Sequence, residues 1–282
     1  MNILSIQSHV AYGHVGNSAA VFALQRLGVE VWPIHTVALS NHPGYGACSG
    51  RVSDGAAVRE LADGIAARGT FAHCNGVLSG YVGTAEIGDA ILATVAKVKA
   101  ENPAARYCCD PVIGDVGRGT YVRPGVAEFL RDRAVPAADV IVPNQFELDF
   151  LSARPSATLS DAIAAIEAIH ARGPGVILVT SLHTAQTPPD SVDLVVSDRA
   201  GRFRLRTPRL PLAINGAGDA IAALFFAHWM ESGCAADAMA RATSSIFGIL
   251  RRTAQAQAAE MLLIAAQEEI VAPSTMFVPE QI

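Results

Sequence analysis

The sequence predicts an α/β fold: a central, mainly parallel sheet with helices on both faces and an antiparallel edge. Three observations carry this expectation. Apolar runs of strand length alternate with longer Ala-rich stretches of helical period, the pattern of repeated βα units. The residues after each run are polar, as expected where parallel strands end together on a ligand-binding edge. After residue 190 the pattern changes to Asp193–Asp198 and Arg202–Leu205 with Arg199-Ala200-Gly201 between them, which reads as an antiparallel hairpin.

In chain order, strands are expected at Ile3–Gln7, Val29–Thr36, Gly76–Ser79, Arg106–Pro111, Val140–Pro143 and Val176–Thr180. Helices are expected between them at about 17–27, 54–68, 85–101, 124–134, 145–152 and 160–172. Pro103, Pro136 and Gly173-Pro174-Gly175 punctuate their ends. Past the hairpin, three Ala-rich helices are expected at about 217–231, 235–253 and 256–270, the last including the low-complexity Ala254–Ala259. No linker or repeat divides the chain, so residues 1–282 are read as one domain.

Composition narrows the function. With 21 basic and 26 acidic residues the net charge is −5, and no basic run exceeds Arg251-Arg252, which argues against nucleic acid or an anionic membrane as partner. The longest apolar run, near Ala220–Met230, is too short to span a bilayer, and the first residues lack the basic region of a signal peptide. Five cysteines without metal spacing suggest reduced core thiols and a cytoplasmic protein. Lysine occurs only at Lys97 and Lys99, in what reads as a solvated helix end. A Walker-type Gly-Lys-Ser/Thr loop and a Schiff-base lysine are thereby excluded.

The polar residues concentrate where ligands bind in such folds. Strand one runs into Gln7–Asn17, strand two into Ser40–Gly46, strand three into Ser79-Gly80-Tyr81 and strand four into Asp110–Asp115. Strand five ends in Pro143-Asn144-Gln145-Phe146-Glu147 and strand six in Thr180-Ser181. Any one could be a helix cap or a turn; six on one edge suggest a site. The sharpest element is Ile214–Leu224, where Gly216-Ala217-Gly218 opens an apolar helix. Glycines let the backbone bring N–H groups toward an anion, and the helix N-terminus adds partial positive charge. Asp219 then falls in the first turn, either as a simple cap or as a general base beside a bound phosphate.

Gly216-Ala217-Gly218-Asp219 resembles the anion hole and catalytic base of ribokinase-like kinases. The segment Ser5–Ala20 is similar to that of the pyridoxal kinases, the vitamin B6 branch of that superfamily. Ser40-Asn41-His42, Gly44-Tyr45, Leu78–Tyr81, Cys109–Val112, Gly114-Asp115 and Pro143–Glu147 continue the likeness in order. The resemblance implies a ribokinase-like domain that phosphorylates the 5′-hydroxymethyl group of pyridoxal and related B6 vitamers with ATP and Mg2+, as a cytoplasmic homodimer. It puts Ser8 and Tyr81 at the pyridine ring, Asp219 at the 5′-hydroxymethyl group, and His42, Pro43 and Gly44 in a loop bordering the substrate. Asp110, Asp115, Tyr121, Val142, Asn144, Glu147, Thr180, Ser181 and Gly216 would bind ATP, with Asp110 and Glu147 at the metal. The N–H groups of Gly216, Ala217 and Gly218 would stabilise the transferred phosphoryl group.

The chain departs from that pattern in four places. Pro43 replaces a common threonine, Thr120 stands where some relatives carry an aldehyde-reactive cysteine, Thr180 where others have lysine, and Ala217 where threonine is usual. Histidines 9 and 14 read as groups that orient backbone rather than as bases. Two other readings stay open: a ribokinase-like kinase for hydroxymethylpyrimidine or another small alcohol, and a non-catalytic B6-vitamer binder.

Overall fold

A computed structural model describes all residues, 1–282. Its strands are β1 (Asn2–Val10), β2 (Glu30–Leu39), β3 (Gly50–Val52), β4 (Gly76–Ser79), β5 (Arg106–Cys109), β6 (Gly114–Asp115), β7 (Gly119–Thr120), β8 (Val140–Ile141), β9 (Val176–Leu182), β10 (Ser191–Asp198), β11 (Gly201–Pro208) and β12 (Glu280–Gln281). The helices are α1 (Asn17–Arg26), α2 (Gly55–Ala66), α3 (Ala85–Glu101), α4 (Val126–Phe129), α5 (Val135–Ala137), α6 (Gln145–Ser152), α7 (Leu159–His170), α8 (Ala217–Ser232), α9 (Ala235–Gln255) and α10 (Glu268–Val271). Ten strands form one sheet in the order β12-β11-β10-β9-β8-β5-β4-β1-β2-β3. The six central strands run parallel, and β3 on one side and β10 to β12 on the other are antiparallel.

Helices cover both faces because the strands are apolar on both. Along β1, Leu4 and Ile6 join a core of 36 buried residues with α2, α3, α4, α6 and α7, whereas Ile3 joins a core of 35 with α1, α8, α9 and α10. Side chains cap the N-termini of several helices close to where the sequence placed their starts. Asp54 accepts from Ala57 N at 2.7 Å, Thr84 from Ile87 N at 3.3 Å, and Thr158 from Asp161 N at 3.1 Å. No helix is long and apolar enough to cross a membrane.

Several expectations need correction. The helix expected over 256–270 is helical only at Glu268–Val271. Thr253, in the last turn of α9, ties the following segment back: its hydroxyl donates to Ile249 O at 2.8 Å and accepts from Leu262 N at 3.1 Å, and Gln257, just past the helix, is left-handed at φ 50°. The following segment buries Met261, Leu263 and Ala266, and this packing overrides Ala-rich helix propensity. The helix expected at 124–134 begins as α4 and widens into a π turn over Leu130–Ala134. The two- and three-residue strands β3, β6, β7 and β12 were not foreseen, because pieces so short carry no periodicity. Cys74, Cys108 and Cys109 are buried core thiols, but Cys48 and Cys234 are exposed.

Candidate active site

Because the six central strands are parallel, their carboxyl ends share one edge, and the predicted polar residues meet there. The N-terminus of α8 opens onto the same edge. Gly216 is its N-cap, left-handed at φ 89°, and offers no capping side chain. A Cβ at Gly216 would lie 1.6 Å from His14 O, so the turn is docked on the β1–α1 loop and admits only glycine. A Cβ at Gly218 would meet nothing within 4 Å. The helix end therefore faces an open space with its first N–H groups, the arrangement that binds anions. Ala217 packs its methyl against the core on the α8 side.

Asp219 follows in the first turn of α8. Desolvation in the cleft lifts its pKa to about 6, against the opposing pull of the nearby N–H groups of Gly16 and of Asp219 itself. The Gly16 contact depends on a tight return of the β1–α1 loop. His9 bridges Gly16 across that loop, and a Cβ at Gly16 would strike Ser8 O at 2.2 Å and Ser8 Oγ at 2.4 Å. Asn17 holds the loop from below: it is buried, accepts from Ser5 Oγ at 2.7 Å and donates to Ile34 O at 3.0 Å. His9 stacks on His35 with ring centroids 4.4 Å apart and pairs with Ser18 Oγ at 2.9 Å, consistent with an orienting role.

Opposite Asp219 lies a group of carboxylates. Asp110 is buried at the end of β5, and its pKa is pushed well up by desolvation and by the charges of Glu147, Asp219 and Asp115. Glu147 is also buried, and desolvation raises its pKa against the opposing pull of backbone N–H groups. Its Oε1 accepts from Ile113 N at 2.9 Å and its Oε2 from Asn144 N at 2.8 Å. Asn144 Nδ2 donates to Gly114 O at 2.8 Å and Asp115 Oδ1 at 3.2 Å, tying α6 to the β6–β7 flap. The Tyr121 phenol, just beyond the flap, is raised by burial and by the same four carboxylates. Asn144 also bridges Thr180, whose N–H donates to Pro143 O at 2.9 Å, and the next residue, Ser181, is left-handed at φ 51°. Val142 differs from the rest of the set: its side chain is buried in the core, so it supports the strand end.

The residues expected at the substrate follow β2 and β4 on the same edge. Tyr81 follows β4 and its carbonyl accepts from Thr36 Oγ1 at 2.6 Å; burial raises its phenol pKa. Pro43, Gly44 and Tyr45 form one 3₁₀ turn after β2, and Gly44 N donates to His42 Nδ1 at 3.0 Å. A Cβ on Gly44 would approach Asn215 Nδ2 to 3.7 Å, which puts this loop beside the residue preceding the anion hole. Sequence reasoning missed Arg118, in the flap turn and near His42, and Arg123, beyond the flap and near Tyr81, because an isolated arginine carries no local signal. It also missed Glu260, which lies against Gly13 and faces Tyr45 from the segment mistaken for helix.

A carboxylate set beside the open N-terminus of a helix, at the carboxyl edge of a parallel sheet, suits one class of enzyme: a kinase that phosphorylates an alcohol on the ribokinase-like fold. Residues 68–262 match the phosphomethylpyrimidine kinase family, and the chain belongs to the pyridoxal kinases within that wider group. It is 55% identical over 281 residues to pyridoxal kinase PdxY of Granulibacter bethesdensis, covering 98% of each chain. It is 50% identical to pyridoxal kinase PdxY of Rubrobacter xylanophilus, over 98% of this chain and 96% of that one. Among solved structures, pyridoxal kinase from Leishmania donovani in complex with ADP and pyridoxine superposes with a TM-score of 0.93 at 30% identity, covering 100% and 99% of the two chains.

Proposed function

We propose that this chain transfers the γ-phosphoryl group of ATP to the 5′-hydroxymethyl oxygen of pyridoxal, giving ADP and pyridoxal 5′-phosphate. The observation that carries the reading is Asp219, in the first turn of α8 beside its uncapped start and facing the N–H of Gly16, with its pKa near 6. A base of that pKa is ionised at neutral pH yet accepts a proton readily as the alcohol oxygen attacks. The new bond joins the 5′ oxygen to the γ-phosphorus, the bond to the bridging oxygen of ADP breaks, and the alcohol proton passes to Asp219. The N–H groups of Gly216, Ala217 and Gly218 stabilise charge on the transferred group. Ser8 and Tyr81 orient the pyridine ring, and the loop of His42, Pro43 and Gly44 excludes water.

Asp115, Tyr121, Asn144, Glu147, Thr180 and Ser181 form the nucleotide side, with Val142 behind them. The residues fit magnesium carried on ATP phosphates, which needs only one or two protein carboxylates: the Asp110 carboxylate makes no side-chain hydrogen bond and feels the charges of Glu147, Asp219 and Asp115, while each Glu147 oxygen already accepts one backbone N–H. Asp110, supported by Glu147, would hold that ion, which neutralises phosphate charge when bound. We further read residues 1–282 as one folding unit and the enzyme as a cytoplasmic homodimer, testable by light scattering and fractionation.

The test is ADP release measured by a coupled assay with pyridoxal, pyridoxine, pyridoxamine and hydroxymethylpyrimidine. Turnover of the B6 vitamers above the pyrimidine is expected. Preference for hydroxymethylpyrimidine would move the chain to the other branch, and binding of vitamers without ADP release would make it a binder.

A further inference from the structure

Four separate segments meet at the mouth of the substrate side. Tyr45, in the covering loop, turns its ring edge to His42 with centroids 6.0 Å apart. Its hydroxyl lies close to both the Glu260 carboxylate and the Asn215 side chain. Glu260 belongs to the segment after α9 and also reaches the β1–α1 loop, where a Cβ on Gly13 would come within 2.7 Å of Oε2 and 2.9 Å of Oε1. Asn215 directly precedes the anion-hole turn. Glu260 Oε1 is sealed from solvent and yet makes no hydrogen bond.

A buried carboxylate oxygen without a donor is costly, and the Tyr45 hydroxyl, a donor close to this carboxylate, belongs to a loop that is otherwise exposed. We propose that Tyr45 and Glu260 form a clasp that fastens the covering loop over the bound vitamer, with Asn215 linking the closed loop to the anion hole. Glu260 is thus a positioning residue, and the proposal rests on the pyridoxal kinase reading of the site. Closure through a remote contact affects the substrate that the loop covers and leaves the nucleotide side alone. It also keeps water from the γ-phosphate, so an open clasp permits ADP formation without phosphorylated vitamer.

The experiment compares wild type, Tyr45→Phe, Glu260→Gln, Glu260→Ala and the Tyr45→Phe/Glu260→Ala double variant, each checked for an unchanged circular dichroism spectrum. Tyr45→Phe and Glu260→Ala should each raise the pyridoxal KM about five- to tenfold with the ATP KM within about twofold, by loss of one charge-assisted hydrogen bond. The ratio of ADP to pyridoxal 5′-phosphate should rise in both, and Glu260→Gln, which keeps an acceptor oxygen, should recover most of the loss. The double variant should be no worse than the more affected single, since both remove the same bond. Multiplicative effects in the double variant, or an unchanged pyridoxal KM in Tyr45→Phe, would overturn the clasp. Trypsin cleavage after Arg51, next to the loop, reads closure without turnover: it should accelerate in Tyr45→Phe and Glu260→Ala, and equal rates contradict the clasp. A wild-type enzyme that ignores pyridoxal refutes the functional reading alone.

Discussion

Asn144 and Glu147 cap each other across the first turn of α6: Asn144 Oδ1 accepts from Glu147 N at 3.0 Å, and Glu147 Oε2 accepts from Asn144 N at 2.8 Å. The device that starts the helix thereby fixes a carboxylate at the carboxyl edge of the sheet, so on the proposed function two residues would serve both folding and nucleotide handling. Glu147→Gln keeps a residue tolerated at this capping position but removes the charge. The ATP KM and the magnesium requirement should rise several-fold while the pyridoxal KM moves little. A larger effect on pyridoxal would place Glu147 on the other side of the site.

Asp219 must be ionised to accept a proton. With its pKa near 6, kcat should be flat above about pH 7 and fall toward tenfold per pH unit below 6. Asp219→Asn should retain the fold and vitamer binding, lower kcat by about 10²–10⁴-fold and abolish that acid limb. A variant within about threefold of wild type removes Asp219 from the mechanism.

Asp110 links activity and stability with opposite signs. Its pKa is raised in the folded protein by desolvation and by Glu147, Asp219 and Asp115, so the folded state binds its proton more tightly than the unfolded chain does. The stabilisation that follows is complete below the unfolded carboxylate pKa, near 4, and is lost as pH rises through the elevated folded value. Asp110→Asn should therefore raise the Tm of the ligand-free protein more at pH 8 than at pH 5. At about 2–4 °C per kcal/mol for a chain somewhat shorter than this one, differential scanning fluorimetry resolves such a difference. Activity at limiting magnesium should collapse in the same variant. A Tm gain equal at both pH values would show that Asp110 is not under electrostatic strain.

Two glycines of one turn should respond differently to the same methyl group. At Gly216 the added Cβ would collide with His14 O in a left-handed conformation, so Gly216→Ala should lower Tm markedly together with activity. At Gly218 it would enter open space, so Gly218→Ala should leave Tm unchanged or higher. If that space receives the transferred phosphate, Gly218→Ala still loses kcat by tenfold or more. Full activity in Gly218→Ala would place the phosphate elsewhere.

Pro43 is the first residue of the exposed 3₁₀ turn and its carbonyl accepts from Gly46 N at 3.1 Å. A threonine there adds a hydroxyl toward the substrate at the cost of a looser turn. One neutral hydrogen bond contributes about 0.5–1.5 kcal/mol, against several tenths lost to loop entropy. Pro43→Thr should lower the pyridoxal KM several-fold and leave the ATP KM unchanged. A pyridoxal KM that stays level or rises, in a folded variant, would mean that this turn does not meet the vitamer.

The sequence by itself determined the features written within a few consecutive residues. The βα alternation, the hairpin after residue 190, the bounds of α3 and α6, and the turn Gly216–Asp219 were all legible, because periodicity, caps and glycine placement act locally. Tertiary structure decided what depends on distant segments meeting. Asp110 holds its proton more tightly only because β5, the flap, α6 and α8 end at one edge and bring other carboxylates near it, and Gly216 is confined only because His14 is folded against it. The clearest case is the stretch after Gln255. Its alanines favour helix in isolation, but packing of Met261 and Leu263 and the turn at Thr253 bend it away, bringing Glu260 to Tyr45. Helix propensity is worth a few tenths of a kcal/mol per residue, whereas burying one such apolar side chain contributes about 1.5–3 kcal/mol, so the tertiary term prevails.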